Sequence, residues 1–211
     1  MTDHPVVLFH NPFSRSAVTR ALLEELAIAY EICPIDFRRE EQRSPEYLAI
    51  NPLGKVPAIR CGETIVTETV AIFIWLADRV PEAGLAPAID EPDRGAYLRW
   101  LVFYAACFEP ALTDRALKRE PGPHAQSPYG SFDEVLATVR DALGAGPYLL
   151  GERFSAADVL WGRALGWAVG FGLVPGDEPI GAYVQRIAAR PAQQRAAEAD
   201  AALAREMGLE R

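Results

Sequence analysis

The period of the apolar residues changes near residue 80, and this change constrains the fold of the 211-residue chain more than any other feature. Before it, apolar runs of strand length alternate with segments whose apolar side chains recur three and four residues apart. After it, only the helical period continues. Because strands that alternate with helices build layered α/β structures, the sequence predicts an α/β domain over residues 1–80 and an all-α domain over residues 93–211.

The first 80 residues contain seven predicted elements in the order β-α-β-α-β-β-α. The apolar run 5–9 is a strand that the turn at Asn11-Pro12 ends, and a helix follows from Ser14, whose hydroxyl can cap it. The remaining elements are a strand at 30–35, a short helix at 45–50, a hairpin of strands 56–60 and 63–66 that reverses at Cys61-Gly62, and a helix at 68–79. In that last helix Val70, Ala71, Phe73, Ile74 and Leu76 cover most of the circumference, which predicts burial.

Three prolines punctuate residues 81–92, which we interpret as a linker. The helices expected after it are 94–118, 131–143, 155–171, 179–189 and 191–202. Ser155 and Asp158 have the spacing of a capping box at the start of one of them, so we assign both to folding.

The charge balance argues against nucleic acid as a partner. Lys and Arg number 21 against 29 Asp and Glu, so the net charge is −8, and no basic stripe offsets it. The longest apolar run, 164–175, is shorter than the ~18 to 20 residues of a membrane span, and the N-terminus lacks a basic secretory signal. We therefore expect a cytoplasmic protein without a membrane segment.

The cysteines and histidines predict neither a disulfide framework nor a metal site. Cys33, Cys61 and Cys107 are widely spaced, with no C-x-x-C pair, and are expected to be small core residues. The three histidines are equally scattered, and none has a Cys or carboxylate at ligand spacing.

The segment Asn51-Pro-Leu-Gly-Lys-Val-Pro-Ala-Ile59 is unusual because Pro57 opens a predicted strand without being able to donate a ladder hydrogen bond. One interpretation is an edge strand. The other is a cis-proline turn that frees the backbone of Val56 for an extended ligand.

Thr67-Glu68-Thr69 opens the last helix of the first domain. Capping is the simpler interpretation of these side chains. The alternative is a ligand site, in which the helix N-terminus and the Thr69 hydroxyl hold a carboxylate and Glu68 holds an ammonium group. An α-amino acid carries both groups.

Asn11-Pro-Phe-Ser-Arg-Ser16 lies between the first strand and the first helix. A ligand thiol at a helix N-terminus ionises more readily, and a Ser hydroxyl there can donate to the thiolate. For Ser14 the competing interpretation is a simple N-cap.

Taken together, these segments resemble the cytosolic glutathione S-transferases over nearly the whole chain. Residues 51–58 match the family's Asn-Pro-x-Gly-x-Val-Pro stretch, and 67–72 match its Glu-Ser-x-Ala-Ile segment. Residues 154–159 match the segment that begins a buried helix of the family's second domain. The resemblance implies a thioredoxin-like N-terminal domain that binds glutathione, followed by an all-helical domain.

Carried over residue by residue, the resemblance implies a glutathione site. Val56 binds the cysteinyl backbone beside a cis Pro57, Glu68 and Thr69 hold the γ-glutamyl group, and Lys55 lies near the glycyl carboxylate. Because glutathione is anionic, a local basic cluster is expected, drawn from Arg15, Lys55 and one of Arg38 or Arg39.

The sequence departs from the family pattern at the thiol. Phe9 stands where tyrosine-type members have Tyr, and no Cys lies in residues 13–16. The remaining thiolate partner is Ser14, as in bacterial relatives that read Asn-Pro-x-Ser-Arg, with Ser16 as the alternative. Thr69 replaces the usual Ser, which keeps the hydroxyl and adds a methyl group.

The resemblance also implies a hydrophobic substrate pocket, for which the candidates are Phe13, Phe103, Tyr104, Phe108 and Trp167. Aromatic residues at helical spacing also occur in ordinary cores, so both interpretations stay open for the stripe that begins at Trp100.

The predicted function is conjugation of the glutathione thiolate to a hydrophobic electrophile, in detoxification, by a homodimer without a metal. One alternative is another glutathione-dependent enzyme, such as a reductase, isomerase or dehalogenase. The other is a non-catalytic binding or regulatory protein on the same fold.

Overall fold

A computed structural model gives the fold of residues His4–Leu209, which form two compact units. The first unit contains the chain up to Ala83 together with the segment from Arg190 onward, and the second contains Gly84–Ala189. The first division lies close to the predicted one. The last helix, however, groups with the first unit, whereas the sequence assigned it to the helical domain.

The N-terminal part of the first unit has the predicted order of strands and helices. Its elements are β1 (Val6–His10), α1 (Ser16–Leu26), β2 (Tyr30–Pro34), α2 (Pro45–Leu48), β3 (Ala58–Cys61), β4 (Thr64–Thr67) and α3 (Thr69–Arg79). The prediction that Ser14 caps α1 is wrong: the helix begins at Ser16, and Arg15 is its N-cap without a side-chain bond. The hairpin also begins later than predicted, because β3 starts only after Pro57.

The four strands form one mixed sheet in the order β2-β1-β3-β4. β1 runs parallel to β2 and antiparallel to β3, and β3 pairs antiparallel with β4. Leu8 of β1 and Ile59 of β3 are completely buried, as are Leu22 of α1 and Phe73 of α3. This mixed sheet with helices packed on it confirms the predicted α/β architecture.

Helix α3 is less buried than its composition predicts. Phe73 and Leu76 are buried together with Ile72 and Ala77. The expectation of burial is wrong for Ala71, which is exposed, and for Val70 and Ile74, which are half-buried. The helix contacts the sheet and α1 along one side, so its other side keeps an apolar surface.

The second unit is entirely helical apart from turns and isolated bridges. It consists of α4 (Arg94–Phe103), a π-helical turn (Tyr104–Phe108), α5 (Glu109–Ala116), α6 (Phe132–Gly144), α7 (Ala156–Gly170) and α8 (Ile180–Ala188). The predicted helix 94–118 is therefore one helical run that the π turn divides. Asp158 bonds the Ser155 N–H at 2.9 Å, as the capping prediction requires, and also accepts from Tyr183 at 2.9 Å.

The last helix, α9 (Pro191–Glu206), lies against α1 in the first unit. Arg190 donates to both carboxylate oxygens of Glu25 at 2.8 Å. Arg195 donates to Glu24 at 2.9 Å. These ion pairs connect α1, in the early part of the described chain, with α9 and the residue that precedes it. In residues 4–209 no helix is long and apolar enough to cross a membrane.

The contact of α7 with α8 depends on a glycine. A Cβ added to Gly162 would lie 2.6 Å from three carbon atoms of Ile187, which is fully packed in the core. Replacing Gly162 by Ala should therefore lower the free energy of unfolding by about 1 to 3 kcal/mol, as overpacking does. Urea denaturation measures this difference.

Gly170→Ala in the same helix is the matched control, because a Cβ at Gly170 meets no atom within 4 Å. We expect it to be neutral or to stabilise by up to about 1 kcal/mol. Equal urea midpoints for the two variants would contradict the packing argument.

Candidate functional site

The register of the sheet brings three of the predicted site segments to one edge. Phe9 pairs with Ala58, and Ala58 pairs with Thr67, so these three residues form a row across β1, β3 and β4. The loop after β1, the Val56-Pro57 turn before β3 and Glu68 after β4 all lie beyond this row. Segments separated by up to about 55 positions in the sequence therefore meet at one end of the sheet.

The loop after β1 presents one serine and encloses the other. The Ser14 hydroxyl donates to the carbonyl of Asn11 at 2.7 Å and accepts from the Ser16 N–H at 3.1 Å. Ser14 is half-buried, whereas the Ser16 residue has 0% exposure. Asn11 anchors the loop, because its side-chain amide donates to the Ile35 carbonyl at 2.9 Å. Of the two predicted serines, only Ser14 has surface available to a ligand.

Behind these serines lies a buried charged cluster that the sequence analysis missed. His10, the last residue of β1, bonds Ser16 Oγ through Nδ1 at 2.7 Å and Asp200 Oδ1 through Nε2 at 2.9 Å. Arg20 of α1 donates to the same Asp200 oxygen at 2.9 Å. No local pattern connects His10 with a residue 190 positions away, so only the position of α9 could reveal the pair.

Side-chain hydrogen bonds fix the turn before β3. The Val56-Pro57 peptide is cis, as expected. The Lys55 carbonyl accepts from Tyr47 Oη at 2.6 Å and from Asn51 Nδ2 at 2.8 Å. Val56 lies before β3, outside the strands and helices. Within residues 4–209, neither its N–H nor its C=O forms a hydrogen bond with another backbone group. The backbone of Val56 is thus positioned and available to an extended ligand.

Glu68 precedes α3 in a backbone conformation that is costly for a residue with a side chain. Its φ is 66° and its ψ is 121°. Such a conformation costs of order 1 to 3 kcal/mol and persists only where the surroundings impose it, commonly at binding sites. The Glu68 side chain is exposed, and Thr69 begins the helix with its side chain half-buried.

The arginines predicted for the basic cluster differ in their contacts. Arg38 is committed elsewhere, because it donates to Asp36 at 2.8 Å and to the Met207 and Gly208 carbonyls at 2.6 and 2.8 Å. Arg39 lies 3.6 Å from Glu41. Arg15, half-buried in the serine loop, and the exposed Lys55 are the predicted cations that lie on the site segments themselves.

The protein's own thiols are poorly suited to nucleophilic chemistry. Cys33 and Cys107 are half-buried rather than core residues, and only Cys61 is buried as predicted. Burial raises the pKa of the Cys33 thiol and of the Cys107 thiol above their ordinary value. The site segments 11–16, 51–58 and 67–72 contain no cysteine, so a thiol between them would belong to a ligand. Among the described residues, no group of three or more His, Cys, Asp or Glu could hold a metal ion.

The aromatic stripe of the second unit is mostly core. Trp161 is fully buried, and its ring lies 4.8 Å from that of Phe108 and 5.7 Å from that of Tyr104. Phe108 has 0% exposure and Tyr104 3%, so both predicted pocket residues lie in the core of the second unit, where buried rings offer a ligand almost no surface.

The other pocket candidates keep accessible surface. Phe103 stacks on Trp161 at 6.1 Å and is half-buried. Trp167 is exposed and meets Phe171 edge to face at 5.4 Å. Phe13, in the first unit, is also exposed.

The turn before β3 should depend on Asn51. Its side chain donates to the Lys55 carbonyl and accepts from the Leu53 N–H at 3.1 Å. Asn51 is buried, and Asn51→Ala removes both of its hydrogen bonds to the turn, so the free energy of unfolding should fall by about 1 to 3 kcal/mol in urea denaturation. Arg43→Ala removes an exposed 3.3 Å bond to Leu53 in the same loop and should change it by less than about 0.5 kcal/mol. Similar losses in both variants would contradict the role of Asn51.

Comparison with known proteins gives the family. The model of the glutathione S-transferase N-terminal domain matches residues 4–78. Glutathione S-transferase GstA of Escherichia coli O157:H7 is 30% identical over 196 residues, which span 92% of this chain and 98% of GstA.

Solved structures agree with the sequence relatives. A glutathione transferase from Methylococcus capsulatus is 31% identical with a TM-score of 0.77, covering 93% of this chain and 98% of its own. A sphingomonad glutathione S-transferase, solved in complex with glutathione, is 30% identical with a TM-score of 0.77, covering 92% and 98%. This similarity extends over both units and almost the full length of each relative, so the chain belongs to the glutathione S-transferase family of enzymes.

Proposed function

We propose that the protein is a serine-type glutathione S-transferase, resembling bacterial members, that conjugates the thiolate of glutathione to a hydrophobic electrophile. The observation that carries the proposal is the meeting of three segments at one edge of the sheet, each suited to a different part of glutathione. The sphingomonad relative with bound glutathione supports this choice of ligand.

The γ-glutamyl group of glutathione fits the start of α3. Its α-carboxylate is suited to the N-terminal N–H groups of the helix and to the Thr69 hydroxyl. Its α-ammonium group is suited to the carboxylate of Glu68, which the unusual backbone at that residue exposes. The pair of charges on an amino acid thus meets a complementary pair on the protein.

The cysteinyl and glycyl parts fit the turn before β3. The backbone of Val56, available beside the cis Pro57, can pair with the cysteinyl backbone as one strand pairs with another. Lys55 is exposed next to it and can neutralise the glycyl carboxylate, and Arg15 supplies a second cation.

The thiol then lies at the serine loop. The Ser14 hydroxyl is half-exposed there and can donate a hydrogen bond to a thiolate, which lowers the pKa of the thiol. The ionised sulfur attacks the electrophile as a nucleophile. Phe13, Phe103 and Trp167 remain the candidates for contact with a hydrophobic substrate.

Removing the Ser14 hydroxyl should reduce conjugation. A hydrogen bond to a charged group contributes about 1.5 to 3 kcal/mol, so Ser14→Ala should lower kcat/KM for an aryl halide by about 10- to 100-fold while glutathione is still bound. Thr64→Ala removes an exposed hydroxyl elsewhere in the first unit and serves as the control. Conjugation at the wild-type rate in Ser14→Ala contradicts the assignment of the thiolate partner.

Retention on immobilised glutathione distinguishes the classes of function. Retention with conjugation supports the transferase, and retention without conjugation of any electrophile favours another glutathione-dependent reaction. A protein that neither binds glutathione nor conjugates it would be a binding or regulatory protein on this fold.

We also propose that the protein is a homodimer that uses the apolar side of α3. The resemblance to the family implies a dimer, and Ala71 is exposed beside the half-buried Val70, Ile74 and Trp75. An apolar helix face of this kind is typical of an interface.

A charge on this face should therefore dissociate the dimer. Ala71→Arg is expected to give a monomer mass in light scattering at a concentration where the wild type is dimeric. Ala197→Arg, on the exposed side of α9, should leave the mass unchanged. A monomeric wild type at all concentrations contradicts the proposal.

A further inference from the structure

A continuous line of short polar contacts runs from Ser14 into the interior of the first unit. The hydroxyl oxygens of Ser14 and Ser16 are 2.7 Å apart, and Ser16 Oγ is 2.7 Å from His10 Nδ1. His10 Nε2 is 2.9 Å from Asp200 Oδ1. His10 and Ser16, in the middle of this line, have 0% exposure, whereas Ser14 at its outer end is half-buried.

The partners fix the positions of the protons. An ionised carboxylate only accepts hydrogen bonds, and Asp200 Oδ1 already accepts one from Arg20. His10 Nε2 must therefore carry a hydrogen, which leaves Nδ1 of the neutral ring as an acceptor for the Ser16 hydroxyl. Ser16 Oγ in turn accepts from the Asn11 N–H at 3.0 Å, and it accepts from the Ser14 hydroxyl when that hydroxyl turns from the Asn11 carbonyl.

Resting on the proposed binding of glutathione, we propose that His10 receives the proton of the glutathione thiol through Ser14 and Ser16. The thiol proton moves to Ser14 Oγ as the Ser14 proton moves to Ser16 Oγ and the Ser16 proton moves to His10 Nδ1. The S–H and two O–H bonds break, and two O–H bonds and one N–H bond form. The products are a thiolate and an imidazolium, so charge and atoms balance without a further reactant.

The product state orients every donor toward the sulfur. The protonated His10 donates to Ser16, the Ser16 hydroxyl donates to Ser14, and the Ser14 hydroxyl donates to the thiolate. His10 is thus a positioning residue: it acts on the ligand only through the two serines, and its protonation state sets the direction of their hydrogen bonds.

The charges that face His10 suit it to hold this proton. Asp200 of α9 faces both His10 and Arg20 of α1, at 2.9 Å each, so its carboxylate can bond an imidazolium at His10 Nε2 while it also pairs with Arg20. Burial alone would lower the pKa of Arg20, but its bonds to Tyr30 and Asp200 outweigh burial and raise that pKa.

The titratable groups beside Arg20 are hydrogen-bonded to one another. Tyr30 of β2 donates to Glu24 at 2.6 Å, and burial, followed by this bond, raises the pKa of Tyr30. Burial opposes ionisation of Glu24, but its bonds with Tyr30 and Arg195 prevail and lower its pKa. Arg20, Glu24 and Tyr30 therefore keep their protonation states near neutral pH.

The same residues do not form a hydrolytic triad. Ser16, His10 and Asp200 have the connectivity of one, but a nucleophile must reach its substrate, and Ser16 has 0% exposure. The accessible hydroxyl is Ser14, which contacts the histidine only through Ser16. The geometry therefore favours proton transfer over acyl transfer.

The destination of the thiol proton can be measured directly. Calorimetric titration at about pH 7.5 in two buffers of different ionisation enthalpy gives the number of protons released on binding. S-methylglutathione has no thiol, so subtracting its value from that of glutathione isolates the thiol proton. Ultraviolet absorbance of the bound thiolate gives the amount that forms.

For the wild type we expect a thiolate signal with close to no net proton released to the buffer. Ser16→Ala and His10→Asn interrupt the line at different points. In each, the thiolate fraction should fall by about tenfold, and every thiolate that still forms should release one proton. Thr19→Val is the matched control, since the Thr19 hydroxyl on α1 is buried and makes no hydrogen bond within residues 4–209.

The outcomes separate the two proposals. If the wild type binds glutathione, forms the thiolate and releases one proton for each, the relay is wrong and the binding site stands. If neither glutathione nor S-methylglutathione binds, the proposed function itself is wrong. Unchanged S-methylglutathione affinity in Ser16→Ala verifies that the site is intact, so the test holds even where His10→Asn fails to fold.

Discussion

The carboxylate of Asp200 links two other elements of the first unit to α9. Asp200 receives a hydrogen bond from His10 at the end of the central strand and another from Arg20 on α1. A buried charge without partners is strongly destabilising, so α9 can dock only where both donors are in place. This requirement fixes the end of β1, the first turns of α1 and the C-terminal helix relative to one another, and the serine loop lies between the first two.

The binding edge follows from this arrangement together with the sheet register. Because β1 is central, its terminal loop lies beside the turn before β3, and β3 in turn aligns the start of α3 through Ala58 and Thr67. A slip of one residue in the β1–β3 pairing would turn Leu8 and Ile59 away from the core, so burial protects the register. The core therefore positions the site although none of its residues belongs to it.

The sequence predicts what is local. Strand and helix periods and the Ser155-Asp158 cap depend on neighbours within a few residues, and each was predictable. The local sequence at Pro57 left an edge strand and a cis turn open, and only the resemblance to the family implied the cis bond that the structure has. The burial of α3 was not, because composition does not say how much of a helix surface the rest of the chain covers. Tyr104 and Phe108 likewise have the same spacing in a core as in a pocket, and only their contact with Trp161 decides between them.

The role of α9 shows why the site itself was only half predictable. Its Ala-rich sequence is that of an ordinary helix, and its essential residue is a single aspartate on the buried side. The hydrogen-bond partner of Asp200, His10, lies near the opposite end of the chain. A division of the sequence at residue 80 separates the two, whereas the first unit of the structure contains both. In chain order, the second unit is therefore inserted between the N-terminal part of the first unit and α9. Loss of α9 would expose His10 and Arg20 of the first unit and would not shorten the helical unit.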